Sequence, residues 1–439
     1  MKRIVYLVLL LAGISHFAFG QTLNSKLSTL LQMKLDSIRS AYNLKGISAS
    51  IIYPGQGVWQ GTSGISFANV PIQPGMEFGI GSNTKLFTAV ALLQLAEKNL
   101  VNIDDSLHRW LPDFENVDRN ISIRQLLNHT SGLADYNDIA GYPDSILRNP
   151  NRVFSTTELI RWVGKPLFQK GSSWSYSNTN YLLAGMIAEG AGGKNIAKLI
   201  REGILDPLQL DSTFFDVQEK VLVPTANPWQ MGANIGNIPR TSLNSAAYAA
   251  GAMYSNSSEM AQWYNKLLGG KLLHPNSIKE MCTFVGSGNY GFGISKIVAN
   301  GKTCYSHGGS IRGYSSFMLY DTLSKAVICV LINLNPAPAR LVAEKLHQVL
   351  TSSTLSESQI SKNLPVISIY PNPVHTTLFI RLQNDDLIQY QITNSQGQKV
   401  ISGDTRGEAL DVSLLEKGMY FIHVSDSNGF VINDKFTKE

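Results

Sequence analysis

The sequence predicts a body of mixed helices and strands followed by a small all-β sandwich. Three observations carry this. Up to about residue 350, helix-like and strand-like apolar patterns alternate. A polar, serine-rich stretch from Thr351 to Gln359 then leads into Lys362-Asn363-Leu364-Pro365, which is linker composition. Beyond it only short alternating runs remain, separated by turn residues. With 439 residues, 44% hydrophobic and 16% charged, the chain can bury more than one small core, and disordered and collagen-like classes are excluded. Lys plus Arg exceed Asp plus Glu by 37 to 32, and a net +5 spread along this length speaks against a nucleic-acid-binding protein.

Met1-Lys2-Arg3 opens the chain with positive charge, Ile4 to Phe17 is almost unbroken apolar sequence, and Ala18-Phe19-Gly20 gives a small-residue exit before Gln21. This is the layout of a secretory signal peptide over residues 1–20, and its apolar run is shorter than the ~20 residues a membrane span needs. No cysteine follows to carry a lipid and no other stretch reaches spanning length, so an exported chain without a stable membrane span is expected. Gly46 to Tyr53 and Ala326 to Ile332 are apolar and partly β-branched, and read as strands. Residues near 82–97 and 179–201 are apolar almost all round with few breakers, and read as buried helices. The folded body therefore spans residues 21–350, the linker 351–365 and the tail 366–439. In the tail, Thr377 to Leu382, Gln389 to Ile392 and Met419 to Val424 alternate as strands between turns at Asn394-Ser395-Gln396-Gly397 and Glu416-Lys417-Gly418. Cys282, Cys304 and Cys329 are too few for a disulfide framework and lack metal-ligand spacing. They read as small buried hydrophobes, with a single Cys282–Cys304 bridge left open by an oxidising compartment.

Three short motifs bear chemistry. Ser82-Asn83-Thr84-Lys85 stands at the start of the first helix, which puts Lys85 one turn on from Ser82 and on the same face. A serine hydroxyl attacks only when a base takes its proton, and a lysine becomes that base when burial or neighbouring positive potential holds it neutral. The helix N-terminus supplies potential that favours negative charge developing on the serine and on the attacked carbonyl oxygen. Alone, Ser-x-x-Lys is as readily a helix cap beside a solvated lysine. Tyr176-Ser177-Asn178 precedes the second helix, and residues two apart in an extended segment point the same way, so a phenol and an amide can flank one ligand. His307-Gly308-Gly309-Ser310 ends a strand-like run from Thr303, where glycines let a ligand backbone approach and the next amide can face a carbonyl oxygen. Each of these, too, has an ordinary packing or turn explanation. His129, in Asn128-His129-Thr130-Ser131-Gly132, is read as a structural histidine rather than a triad base. The sequence has no Gly-x-Ser-x-Gly elbow, no His-Glu-x-x-His, no P-loop and no dinucleotide fingerprint, and it implies no cofactor and no metal.

In this order and at these separations the three motifs resemble the serine β-lactamase and penicillin-binding-protein superfamily, most of all class C β-lactamases, D-alanyl-D-alanine carboxypeptidases and related esterases. Leu126 to Leu133 and Ala250 to Met260 add to the match, and the resemblance runs from about Leu27 to Leu350. It implies an α+β fold: an antiparallel sheet of five or more strands covered by helices, with a mostly helical lobe carrying the tyrosine motif. It makes Ser82 the acylated nucleophile and Lys85 its proton acceptor or electrostatic partner. Tyr176 would pass the proton to the leaving group and help activate the deacylating water, and Asn178 would bind the substrate amide. Gly309 would lie against the substrate, and the backbone amides of Ser82 and Ser310 would form the oxyanion hole. His307 stands where many relatives have lysine. A histidine is only partly charged near pH 7, so it should read a substrate carboxylate more weakly.

The tail has its own resemblance. Tyr370-Pro371-Asn372-Pro373, Asn394-Ser395-Gln396-Gly397-Gln398 and Leu415-Glu416-Lys417-Gly418-Met419-Tyr420, in that order, resemble the C-terminal sorting domain of the type IX secretion system of Bacteroidetes. This implies passage through the periplasm to the cell surface or medium, with the secretion machinery as partner of residues 366–439. The expected function is a secreted serine hydrolase acting through an acyl-enzyme on a β-lactam, a D-Ala-D-Ala peptide or an ester, the substrate being a small molecule or a peptide such as a peptidoglycan fragment. Two other functions stay open: a penicillin-recognising protein that acylates without turnover, and a surface adhesin using the β-module.

Overall fold

A computed structural model describes residues 22–138, 140–353, 368–381, 388–405, 409–426 and 431–439. The signal-peptide segment 1–20 and linker residues 354–365 lie outside the described residues. Residues 351–353, expected in the linker, instead finish the helix Ala339–Ser353.

The body is built on a seven-stranded antiparallel sheet in the order Val70–Pro71, Gly57–Phe67, Gly46–Tyr53, Val327–Ile332, Tyr314–Asp321, Lys302–Ile311, Ser295–Ala299. The two strands read from sequence pair at its centre, with Ile47 opposite Ile332 and Ile52 opposite Val327. Period-2 geometry sends alternate residues to two different cores. Ile328, Val330 and Ile332 pack with Ile47, Ala49 and Ile51 beneath the terminal helices Ser25–Ala41 and Ala339–Ser353. Val327, Cys329 and Leu331 face the other way, into the large core shared with the helical lobe. Because both faces are covered, the central strand is apolar throughout rather than alternating with polar residues. The polar residues Ser48 and Ser50 on the lobe side are satisfied by Ser257, whose Oγ lies 2.8 Å from each hydroxyl.

In the helical lobe, the expected helix over 82–97 is a 3₁₀ turn, Gly81–Asn83, continuing into the helix Thr84–Glu97, buried on almost every side. The expected helix over 179–201 is two helices, Asn178–Gly192 and Ile196–Ile200. Gly193 at φ 63° ends the first, and the Asn195 side chain caps the second by accepting from the Lys198 N–H at 2.8 Å. All three cysteines are free, so the Cys282–Cys304 bridge does not form; Cys304 and Cys329 are buried.

The tail forms a three-stranded sheet (Ser368–Tyr370, Thr377–Arg381, Ala409–Asp411) and a four-stranded sheet (Lys399–Thr405, Ile388–Asn394, Gly418–Asp426, Val431–Lys438). Leu378, Ile380 and Leu410 of one share a core with Ile392, Ile422, Val424 and Phe436 of the other. Its motif residues are turn chemistry. Asn394 Oδ1 accepts from the Gln396 and Gln398 amides at 3.0 and 2.9 Å, and Asn372 Oδ1 accepts from Thr437 N–H at 2.9 Å.

Candidate active site

Ser82 lies in the 3₁₀ turn Gly81–Asn83, and neither that turn nor the helix after it is capped by a side chain, so the hydroxyl is not spent as a cap. Gly81 has φ 52°, and a Cβ there would sit 2.8 Å from the Ser310 nitrogen. A Cβ at Gly309 would come within 2.0 Å of the Ile80 carbonyl oxygen. The two glycines thus let the serine turn and the strand Lys302–Ile311 touch backbone to backbone. That strand pairs with Ser295–Ala299 only as far as Ser306, so from His307 onward one edge is open beside Ser82. An open edge next to a serine can receive the extended backbone of a substrate as an added strand.

Lys85 is fully buried, and its Nζ has three partners: Ser82 Oγ at 3.1 Å, Asn178 Oδ1 at 2.7 Å and the Ala250 carbonyl at 2.7 Å. Burial brings its pKa down to about 7, against the opposing influence of Asp135. A neutral amine has two N–H donors and one lone pair. Carbonyl oxygens only accept, so both N–H groups are drawn to Asn178 and Ala250, and the lone pair is left for the Ser82 hydroxyl. The Ala250 carbonyl is available because it lies in the last turn of the helix Thr241–Gly251, where carbonyls have no donor further along the helix. Thr88 Oγ1 donates to the Ala249 carbonyl of the same turn at 2.8 Å, and Tyr248 just before it adopts φ 40°, ψ −133°. Strain of this kind at a non-glycine residue persists where surrounding contacts hold it.

Tyr176 stands beside Ser82 and Lys85, its ring centroid 5.0 Å from Lys85 Nζ. Burial pushes the phenol well above its ordinary value, so it meets the site as an O–H donor. Asn178 begins the helix Asn178–Gly192, and its amide is engaged at both ends: Oδ1 by Lys85, and Nδ2 by Asp135 Oδ2 at 2.7 Å. Asp135 also accepts from the Asn178 and Asn137 backbone N–H groups, both at 2.9 Å. Asn178 is thus placed to orient Lys85 more directly than to hold a substrate amide.

His307 departs from its expected role. Its Nδ1 lies 2.7 Å from the Gly308 carbonyl, which can only accept, and its Nε2 lies 2.6 Å from the Tyr290 hydroxyl. These partners assign a neutral ring with the proton on Nδ1 and Nε2 accepting from Tyr290. Burial, reinforced by the nearby Lys85 charge, brings its pKa down to about 3. A partly charged reader of carboxylates is therefore replaced by a neutral, hydrogen-bonded ring. His129, equally buried, accepts on Nδ1 from the Ser177 N–H at 3.2 Å and from Asn180 Nδ2 at 2.9 Å, and so holds the Tyr176-Ser177-Asn178 segment in place. Among the described residues no group of three or more His, Cys, Asp or Glu side chains gathers as a metal site.

Residues 27–351, spanning the sheet and all these side chains, match the family model described as Beta-lactamase. The chain belongs to the Beta-lactamase family. Residues 368–439 match a secretion system C-terminal sorting domain, which directs this Beta-lactamase family protein to the cell surface or out of the cell. Protein flp of Staphylococcus aureus (strain MRSA252) is 27% identical over 288 residues, which is 63% of this chain and 57% of that protein. The chain therefore spans little more than half the length of that relative. Among solved structures, a D-stereospecific amidohydrolase from Streptomyces sp. superposes with a TM-score of 0.65 at 27% identity, over 73% of this chain and 97% of that one. A D-amino acid amidase from Ochrobactrum anthropi SV3 gives 0.68 at 25%, over 75% and 100%.

Two residues of this Beta-lactamase family site escaped the reading of the sequence. Asp135 lies in no motif, and only the fold brings it to Asn178. Tyr290 did leave a trace: in Tyr290-Gly291-Phe292-Gly293 an aromatic precedes alternating glycines, and Gly293 lies where a Cβ would be 2.7 Å from the Leu86 Cα. The segment therefore rests on the first turn of the serine helix and presents its tyrosine to His307.

Proposed function

We propose that this protein is an exported serine hydrolase that forms an acyl-enzyme on Ser82 and cleaves amide or ester bonds. The observation that carries this is the Lys85 amine, buried and 3.1 Å from Ser82 Oγ, with its two other partners both acceptors. Lys85 takes the Ser82 proton as Oγ attacks the substrate carbonyl. The backbone amides of Ser82 and Ser310 receive the negative charge on the carbonyl oxygen. Tyr176 gives its proton to the departing nitrogen or oxygen and recovers one from Lys85. Water then attacks the ester on Ser82, releases the acid and returns the proton. Asn178, held by Asp135, fixes the direction of the Lys85 amine, and Gly309 keeps the strand edge clear for the substrate. Treating the mature protein with a fluorescent penicillin, a chromogenic cephalosporin, a p-nitrophenyl ester and a D-amino acid amide, with mass spectrometry for an adduct on Ser82, tests the reading; absence of any Ser82 adduct would overturn it.

The neutral His307 favours substrates without a carboxylate on the leaving side, such as amides and simple esters. The solved relatives named as a D-stereospecific amidohydrolase and a D-amino acid amidase support the same choice. Since His307 gains a proton only near pH 3, pH profiles for a carboxylate-bearing penicillin and a neutral ester should run parallel between about pH 5 and 8. Selective loss of the penicillin reaction as pH rises through about 6.5 would restore a charged histidine.

The body and the tail are proposed to act separately, with residues 21–350 catalytic and 366–439 bound by the secretion machinery. Removing residues 366–439 should leave kcat/KM within about twofold, since every proposed catalytic group precedes them. It should also retain the enzyme inside the outer membrane, as read by activity in medium against cell fractions. Undiminished release of the truncated protein would reassign the tail to binding.

A further inference from the structure

A cavity of about 140 Å³, close to the size that holds a benzene ring, lies beside Arg312, in the turn that follows the open-edged strand. Its floor is the edge-to-face pair Tyr254 and Tyr314, whose ring centroids are 5.8 Å apart. Gly79, three residues before Ser82, packs on both: a Cβ there would sit 3.0 Å from Tyr314 and 3.3 Å from Tyr254. Ile146, Ile238 and Leu243 make the walls apolar.

Two guanidinium groups reach this cavity, and they differ. Arg240 is committed: its Nε binds Asp216 at 2.9 Å and its guanidinium lies 4.3 Å over the Tyr254 ring. Arg312 enters no ion pair among the described residues. Its backbone is nevertheless held, because the next residue, Gly313, donates its N–H to Gln230 Oε1 at 2.9 Å and is packed so tightly on Pro228 that a Cβ would lie 2.3 Å from it. Arg312 is two residues beyond Ser310, in the turn that joins the strand Lys302–Ile311 to the strand Tyr314–Asp321.

The two ends of the open edge have opposite relations to the reaction proposed above, on which this assignment rests. Tyr176, the donor to the leaving group, lies at the His307 end, with ring centroids 6.4 Å apart. The acyl portion of the substrate therefore runs the other way, from Ser310 toward Arg312. At that end Ile146, Ile238 and Leu243 line the cavity, and Arg312, in no ion pair among the described residues, stands at it. We propose that this cavity takes the acyl-side substituent of the substrate, an apolar chain or ring ending in a carboxylate, with Arg312 as the partner of that anion. A planar guanidinium suits two-point binding of a carboxylate, and the walls suit the intervening carbons.

Equilibrium binding to the Ser82→Ala protein tests this without turnover, using adipic acid monoanilide and hexananilide, which share chain length and leaving group and differ in the terminal carboxylate. The adipic compound should bind about tenfold more tightly. Arg312→Gln should bring the ratio close to one, and Arg312→Glu should invert it. Equal binding of the two anilides to the Ser82→Ala protein, or a ratio unmoved by either substitution at Arg312, would overturn the assignment. Should wild-type protein give no Ser82 adduct while this preference persists, the hydrolase reading falls and the pocket assignment stands.

Discussion

Ser82→Ala should lower turnover of every ester or amide substrate by about 10⁴-fold or more and abolish the covalent adduct. Lys85, once the hydroxyl is gone, keeps both acceptors, Asn178 Oδ1 and the Ala250 carbonyl, and so is not left unpartnered. The fold should therefore survive: losing one partly exposed hydroxyl that caps nothing costs about 1 kcal/mol, a shift of a few degrees in unfolding temperature. Steady-state kinetics beside thermal unfolding separates the two effects. Turnover within tenfold of wild type would sink the acyl-enzyme mechanism, whereas loss of both activity and the cooperative transition would make Ser82 a structural residue.

The strands at the sheet centre and the helix behind Ser82 were legible because their pattern is continuous: a run such as Val327–Ile332 has no polar position to misplace. Ser82, Lys85, Tyr176, Asn178 and His307 were legible as members of ordered motifs, though the motifs could not give their protonation states. Those depend on burial and on neighbours distant in sequence. Lys85 is about 165 residues from the carbonyl of Ala250 that fixes it, and Asp135 stands 43 residues before the amide it holds. His307 read as a partly charged position because it stands where many relatives have lysine. It is neutral because Tyr290, from a segment with no motif of its own, covers its Nε2. The break after Gly192 was missed for the reverse reason: Ala191, Ile196 and Ala197 continue an apolar pattern across a glycine pair that ends the helix.

Lys85 should set the pH at which the protein works. With its pKa near 7, the neutral amine that can accept the Ser82 proton gains tenfold per pH unit up to about pH 7 and then saturates, so kcat/KM should follow that curve on a neutral ester. Lys85→Arg keeps the charge at every accessible pH and should lose about 10³-fold or more throughout. Stability should respond in a defined direction. In the unfolded chain the lysine holds its proton up to about pH 10.4, whereas in the folded chain it gives it up near 7. Between those values the unfolded state binds the extra proton, so folding becomes more favourable as pH rises. Below about pH 7 both states are protonated and the effect is constant, a burden of roughly 5 kcal/mol on the fold. Against Lys85→Met, which does not titrate, wild type should gain roughly 2–3 kcal/mol of stability between pH 7 and 9, measured by urea unfolding. A gap that stays flat or moves the other way, together with activity indifferent to pH from 5 to 8, would mean that the amine is buried as an ammonium ion, with Asp135 as its counter-charge and no capacity to deprotonate Ser82.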